Sequence, residues 1–290
     1  MKNALFLAVA VLLATVASSA ADKKLILIAG KPSHGPGEHE FNAGCQLIKK
    51  ALTGIPGLKV EAYNMGWPSD PKAFEGADAV LLYADGGGGH PFIQGDHLQI
   101  VKDLMAKGVG LGLAHYAVEV PADKAGKEFQ DWVGGYYEHL YSCNPMWSPE
   151  FEKYPDHPIT RGVKPFSIKD EWYIHMRFRP EMKGVVPILV AKPSDKVRKG
   201  PYVYPQGPYQ HIVDASGQDE IMMWAVERPD GGRGFGFTGG HFHKNWSEEN
   251  FRKVVLNGLF WITKLDVPDG GVKSTVSEED IKANLDAKGK

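Results

Sequence analysis

Several short stretches of this chain end in groups that can do chemistry. Gly108–Glu119, GVGLGLAHYAVE, sets Val109, Leu111 and Leu113 between glycines and then delivers Ala114-His115-Tyr116. Such a run reads as a strand buried so tightly that one face carries almost no side chain. In an open α/β sheet, ligands bind just outside the carboxyl ends of the strands. His115 is therefore placed for chemistry, the alternative being a histidine satisfied by loop hydrogen bonds. Arg233–Thr238, RGFGFT, repeats the pattern and runs into Gly239-Gly240-His241-Phe242-His243.

Three further stretches hold polar groups beside buried runs. Lys31–Phe41, KPSHGPGEHEF, follows the first apolar run and carries His34, Glu38, His39 and Glu40. A loop this polar at the end of a first strand is a natural ligand loop, although a solvated loop with idle histidines would look the same. Asp85 opens a run of four glycines that ends in His90-Pro91. The glycines permit close backbone approach to a ligand or positive φ. They match neither a dinucleotide nor a phosphate-loop fingerprint. Phe166–Phe178, FSIKDEWYIHMRF, reads as a strand with Glu171, Tyr173 and His175 on one face and Asp170 beside them. A carboxylate, a phenol and an imidazole sharing a face make either a site or a satisfied sheet edge.

The elements that must position these groups follow a simple rhythm. KLILIAG (24–30) is a buried strand, Asn42–Leu52 an amphipathic helix, Lys59–Tyr63 a strand, Pro71–Phe74 a helical turn and Ala79–Ala84 a strand. Gln94–Lys107 is a helix capped by Gly108, leading to the glycine-rich strand. This alternation predicts a doubly wound, mostly parallel α/β sheet. Residues 122–166, rich in tyrosine and tryptophan, read as an irregular excursion along the cleft or over a sheet edge. Strands are expected at Val185–Lys192, Ile221–Glu227 and Arg233–Thr238, and an amphipathic helix at Asn250–Thr263. A polar tail starts at Val267, with a short helix whose start at Ser277 has a capping-box pattern.

Hydrophobic and charged contents of 43% and 23% over 290 residues place the chain among ordinary globular proteins, with room for one large domain or two small ones. A net charge of −2 gives no electrostatic footprint for nucleic acid or an anionic membrane. Lys2, the apolar run Ala4–Val16 and the small residues Ser18-Ser19-Ala20 read as a secretory signal over residues 1–21, cleaved after Ala20 or Ala21. The folded domain is then expected over residues 22–266, and the mature protein in a secreted or periplasmic location, free of the membrane. Cys45 and Cys143 could form a disulfide there, and their spacing leaves that open. Oligomeric state is not legible.

Taken in order, Ser33-His34-Gly35 after the first strand, Gly108–Tyr116, Asp170-Glu171-Trp172-Tyr173 and Gly239-Gly240-His241 resemble the ThuA-like (trehalose-utilisation) proteins over roughly residues 23–264. The resemblance implies the flavodoxin-like fold of the class I glutamine amidotransferase superfamily. Amidotransferase relatives place a nucleophilic cysteine where this chain has Ala114-His115, and a catalytic histidine near His241. With no cysteine near position 115, cysteine acyl transfer is unsupported. Two histidines on neighbouring strand ends with a carboxylate suit a catalytic metal instead. His115, His241 and Glu171 are expected to hold a divalent transition metal, zinc foremost, with His34 or His39 as a further ligand or acid–base group. Tyr173 would donate a hydrogen bond to substrate, His90 would line the pocket, and Tyr116, Trp147 and Trp246 would stack on a sugar. The resemblance implies a small-molecule carbohydrate substrate, among them 3-keto-glycosides, by elimination, isomerisation or hydrolysis. The alternative is a non-catalytic carbohydrate-binding protein on the same fold.

Overall fold

The computed structural model describes residues 22–288, so the expected signal segment lies outside the described residues. Its centre is a seven-stranded sheet. The strands are β1 (Lys23–Ala29), β2 (Leu58–Tyr63), β3 (Ala79–Tyr83), β4 (Gly110–Ala114), β5 (Val185–Ala191), β6 (Glu220–Glu227) and β7 (Arg233–Phe237). They lie in the order β5-β6-β7-β4-β3-β1-β2. The five strands from β2 to β7 run parallel, while β6 runs antiparallel to β7 and β5 antiparallel to β6. The doubly wound α/β fold is thus present, with an antiparallel extension at one edge.

Register brings the functional strand ends level. Ala114 at the end of β4 pairs with Tyr83 of β3 on one side and with Phe237 of β7 on the other, and Tyr83 pairs with Ala29. The segments that leave these strands, beginning at Gly30, Ala84, His115 and Thr238, therefore open onto one crevice. Successive strands depart to opposite sides of β1, so this is the topological switch point, where α/β sheets bind ligands.

Helices α1 (Phe41–Leu52) and α2 (His97–Ala106) cover opposite faces of the sheet. The long helix α3 (Glu249–Ile262) lies beside α1. Of the glycines of β4, Gly110 makes room for this helix and Gly112 for a ring of the neighbouring strand. A Cβ at Gly110 would sit 2.2 Å from the Ile262 carbonyl oxygen, and one at Gly112 would sit 2.7 Å from the Phe235 ring. Only a bare backbone lets helix and sheet approach this closely.

Several expectations change. No helix forms between β2 and β3, where residues 71–76 make turns. Helix α3 is not half-exposed, because residues after 266 wrap it: Val267 and Val272 are buried, and Asn257 accepts from Val272 N and donates to Ile159 O and Arg161 O. The tail is part of the folded body, and its short helix (Glu278–Lys282) begins with the expected capping box of Ser277 and Asp280. The expected strand at 166–178 breaks into two-residue fragments. Asp170–Glu171 pairs with Met146–Trp147, Ile174 exchanges bonds with Cys143, and His175 turns with φ 60°. Each fragment finds a different partner, so no continuous ladder forms. Cys45 and Cys143 are buried, unbridged thiols, and burial pushes both above their ordinary pKa. Among the described residues, no helix is long and apolar enough to cross a membrane.

Candidate metal centre

His39, His115, Glu171 and His241 converge at the switch point, each offering one ligand atom within 4.8 Å of the others. All four are buried. They come from the loop after β1, the turn after β4, the short ladder at Asp170–Glu171 and the turn after β7. Two of them hold backbone conformations that a side-chain-bearing residue adopts at a cost: φ is 46° at His39 and 55° at His115. Left-handed conformations at non-glycine residues gather at functional sites.

Hydrogen bonds decide which ring nitrogens carry protons. His39 Nδ1 lies 2.8 Å from the Asp85 carboxylate, which can only accept, so that nitrogen is the donor and Nε2 holds a lone pair. His115 Nδ1 lies 2.9 Å from the Thr238 carbonyl, so its Nε2 also holds a lone pair. These two Nε2 atoms face each other at 3.0 Å. His241 Nδ1 lies 3.1 Å from His39 Nε2 and 2.9 Å from Glu171 Oε2, which is itself 3.4 Å from His115 Nε2. The far nitrogen of His241 faces Glu38 at 3.6 Å. Lone pairs and a carboxylate oxygen thus surround one point, which demands positive charge there.

A metal fits that demand. With ligand bonds of about 2.1 Å, neighbouring donors lie about 3.0 Å apart in an octahedral site and about 3.4 Å apart in a tetrahedral one. Four of the six donor spacings, at 2.9, 3.0, 3.1 and 3.4 Å, span that range, and all lie within 4.8 Å. The outer partners are those that orient metal-bound histidine, a carboxylate on one ring and a backbone carbonyl on another.

The charge balance agrees. Burial, reinforced by His115 and His34, drives His39 far below its ordinary pKa, so it is a neutral ligand. Burial alone would raise Glu171, but positive charge on the surrounding histidine cluster outweighs it and pulls it down to about 2. Burial would lower His241, but Glu171, with Asp170 and Glu38, raises it overall. His241 is the ring that takes up the missing positive charge as a proton when no metal supplies it.

Two of the four, His39 and Glu171, line a cavity of about 570 Å³ whose walls also include His34, Tyr116, Glu119, Tyr173, His139 and Tyr204. His34 stacks on His39 with ring centroids 3.6 Å apart and leans on Ser33 Oγ. Burial lowers its pKa, with the Asp85 charge working the other way. Tyr173 Oη lies 3.3 Å from His115 Nε2. Burial lifts the Tyr116 and Tyr173 phenols well above their ordinary pKa, which keeps both as hydrogen-bond donors. A larger hollow of about 860 Å³, by Lys102, Arg179 and Arg228, contains no histidine and lies beside the β6–β7 turn.

Three expected site residues lie elsewhere, and His175 leaves the face shared with Glu171. His90 is fully buried, with one ring nitrogen on Ala117 O and the other accepting from Phe92 N, so it caps a turn and does not line the cavity. Trp147 donates to Trp172 O and borders a different hollow. Trp246 has no exposed surface and packs on Tyr83 and Phe251 in the core. His175 faces Tyr141 and Glu220, because its turned backbone directs it away from Glu171. Of the glycines before His90, Gly86 serves an internal contact, since a Cβ there would lie 2.2 Å from Tyr116 O, while Gly87 and Gly88 line the cavity.

Two positioning residues carry more than their sequence context suggests. Asp170 is fully buried and accepts from the backbone N–H groups of Glu171, Gly240 and His241 and from Asn245 Nδ2, fixing the turn that presents His241. Asn144 donates to Glu171 Oε1 at 2.8 Å while accepting from Tyr204 N. Asp170 is legible as half of an acidic pair; nothing in the sequence singles out Asn144.

Comparison with known proteins fits this architecture. A ThuA-like protein from Bacteroides uniformis ATCC 8492 is 14% identical and superposes with a TM-score of 0.57, covering 88% of this chain and 96% of its own. One from Parabacteroides merdae ATCC 43184 is 15% identical, with a TM-score of 0.54 over 89% and 94% of the two chains. At these identities the likeness shows the fold. No curated protein matches the chain. The family model ThuA, described as trehalose utilisation, matches residues 26–262, and the chain belongs to that family.

Proposed function

We propose that this protein is an exported, metal-dependent enzyme of carbohydrate catabolism acting on a sugar or a 3-keto-glycoside. The observation that carries the reading is the convergence of three imidazole nitrogens and Glu171 on one point, with His39 and Glu171 opening onto a cavity of about 570 Å³. Zinc suits three nitrogens and one oxygen. When bound, such an ion supplies Lewis-acid polarisation of a substrate oxygen.

The chain's own residues supply the rest. His39, His115, Glu171 and His241 hold the ion, and Asp85, Thr238 O and Asp170 fix their orientation. Tyr173 and Tyr116 keep their protons and donate hydrogen bonds to hydroxyl or carbonyl oxygens. Tyr204, 71% exposed at the rim, offers an aromatic face to a pyranose ring. A ketone at C3 of a glycoside acidifies the C2 hydrogen, and its removal permits loss of the group at C1. The carbohydrate class rests on family membership, and the fold alone would not select it.

The test is turnover of methyl 3-keto-α-glucopyranoside by zinc-loaded protein, followed by NMR. The expected result is consumption of the probe by the loaded protein and none after chelation or in His39→Ala. Equal turnover with and without metal, or none under any loading, overturns the reading.

A further inference from the structure

Glu119 is a half-buried carboxyl on the wall of the cavity that His39 and Glu171 line, four residues beyond His115. Its backbone is locked on both sides. Its N–H donates to Tyr116 O at 3.0 Å, its carbonyl accepts from Gly87 N at 3.1 Å, and Tyr137 N holds the preceding carbonyl at 2.9 Å. Its carboxyl, by contrast, makes no hydrogen bond or ion pair with any described residue. An acid taken out of water without a partner is costly, and the fold does nothing to relieve it. Three of the neighbouring cavity groups are committed. His39 spends both ring nitrogens on Asp85 and the ligand point, and Tyr116 and Tyr173 hold their protons firmly.

Resting on the keto-sugar reading above, we infer that Glu119 is the proton-transfer residue of this site, taking the hydrogen from the carbon next to the substrate carbonyl and returning it to the departing oxygen. The step balances within the substrate. The Glu119 carboxylate takes the C2 proton, and the C–H electron pair becomes the C2=C3 bond as the carbonyl pair moves to oxygen. The carbonyl then re-forms, the C2=C3 pair shifts to C1=C2, and the C1–O bond breaks. The leaving oxygen keeps the bond pair and takes the proton from the Glu119 acid. Nothing is oxidised or reduced overall, and the products are an enone and an alcohol.

The electrostatics support the geometry. Burial, then the Glu171 charge, raises Glu119 to about 7, where a carboxyl is available in both forms near neutrality. The groups facing it are Glu171 and the phenols of Tyr116, Tyr137, Tyr173 and Tyr209, with His34 and His39 on the same cavity wall and no lysine or arginine.

The experiment compares wild type with Glu119→Gln, which keeps the shape and removes the base. Metal content is measured by elemental analysis, the ionisation of Glu119 by the infrared band of the protonated carboxyl, and proton transfer by deuterium uptake at C2 of methyl 3-keto-α-glucopyranoside in D2O. The expected result is a band in wild type that titrates near neutrality and is missing in the variant. Deuterium uptake should fall at least about 100-fold in the variant with metal content unchanged. A variant that exchanges as fast as wild type, or a Glu119 that titrates with the surface carboxylates, overturns the assignment. A wild type that binds metal and shows the band yet exchanges nothing overturns the keto-sugar reading, and the role assigned to Glu119 falls with it.

Discussion

Replacing Asp170 by alanine removes a carboxylate that no solvent reaches and that four donors share. The donors are the backbone N–H groups of Glu171, Gly240 and His241, at 2.8, 2.8 and 3.0 Å, and the amide of Asn245 at 3.0 Å. Each buried donor left unmade costs about 1–3 kcal/mol. Asn245 keeps its bond to Lys169 O, so three backbone donors bear the loss. The truncated side chain also no longer has to be desolvated, which offsets part of it. The net expectation is about 3–5 kcal/mol, the range seen when a buried charge network loses a member. In a domain of this size that lowers Tm by about 6–20 °C. Asp170→Asn retains one acceptor oxygen and should lose about half as much. Urea denaturation and calorimetry measure both variants. Because the turn at Gly240 presents His241, zinc affinity should fall about 10–100-fold in variants that remain folded, as when a residue orienting a ligand is lost. Asp170→Ala within about 1 kcal/mol of wild type would refute the reasoning, since the turn would then be held by something else.

Other perturbations separate the parts of the site. Asp85→Asn replaces the acceptor that fixes the His39 tautomer, and zinc titration should show affinity about 10–100-fold weaker with Tm nearly unchanged. His90→Ala should cost about 1–3 kcal/mol by stranding Phe92 N and Ala117 O, yet leave zinc affinity as it was, because His90 serves the turn alone. Glu119 is raised in the folded chain, so the folded state holds its proton more tightly than the unfolded one. That contribution is fully present below the ordinary glutamate pKa and is lost as pH rises to about 7. The metal-free wild type should therefore weaken relative to Glu119→Gln between about pH 4.5 and 7, by about 2–3 kcal/mol, in denaturation series at several pH values. Lys288 pairs with Glu40 and donates to Glu38 O, tying the tail to the loop that carries His34 and His39. Lys288→Met should loosen that loop and raise its hydrogen-exchange rate without disturbing the β4 strand.

Sequence pattern carried the sheet and the ligands differently. The buried runs at β1, β3, β4 and β7 are continuous and apolar, and the histidine after β4 and the one after β7 follow directly from where those strands stop. His39 reads from sequence only as an alternative ligand, because a loop with two glycines and two prolines does not reveal which of its two histidines turns inward. The left-handed backbone at His39 and its bond to Asp85 decide that, and both are tertiary facts. Glu171 was found through its neighbours in D-E-W-Y, yet the strand that suggested it does not exist as one strand. Period-2 alternation is satisfied equally by a ladder and by a chain that bridges several partners in turn. The aromatics misled for a related reason. Trp147 and Trp246 are large enough to stack on sugar or to fill a core, and sequence does not distinguish these uses. The tail looked separable because its residues are polar, while Val267, Val272 and Lys288 bind it to α3 and to the histidine loop.

The central claim is that His39, His115, Glu171 and His241 hold one metal ion. Zinc-edge X-ray absorption on purified, zinc-loaded protein, with elemental analysis of the same sample, tests it most directly. The account predicts about one equivalent of metal, bound by nitrogen and oxygen at about 2.0–2.2 Å with no sulfur, and its loss in the His115→Ala, His241→Ala double variant. A protein that holds no metal after loading, or a double variant that holds it equally well, would contradict the account and leave the His241–Glu171 contact as a buried ion pair.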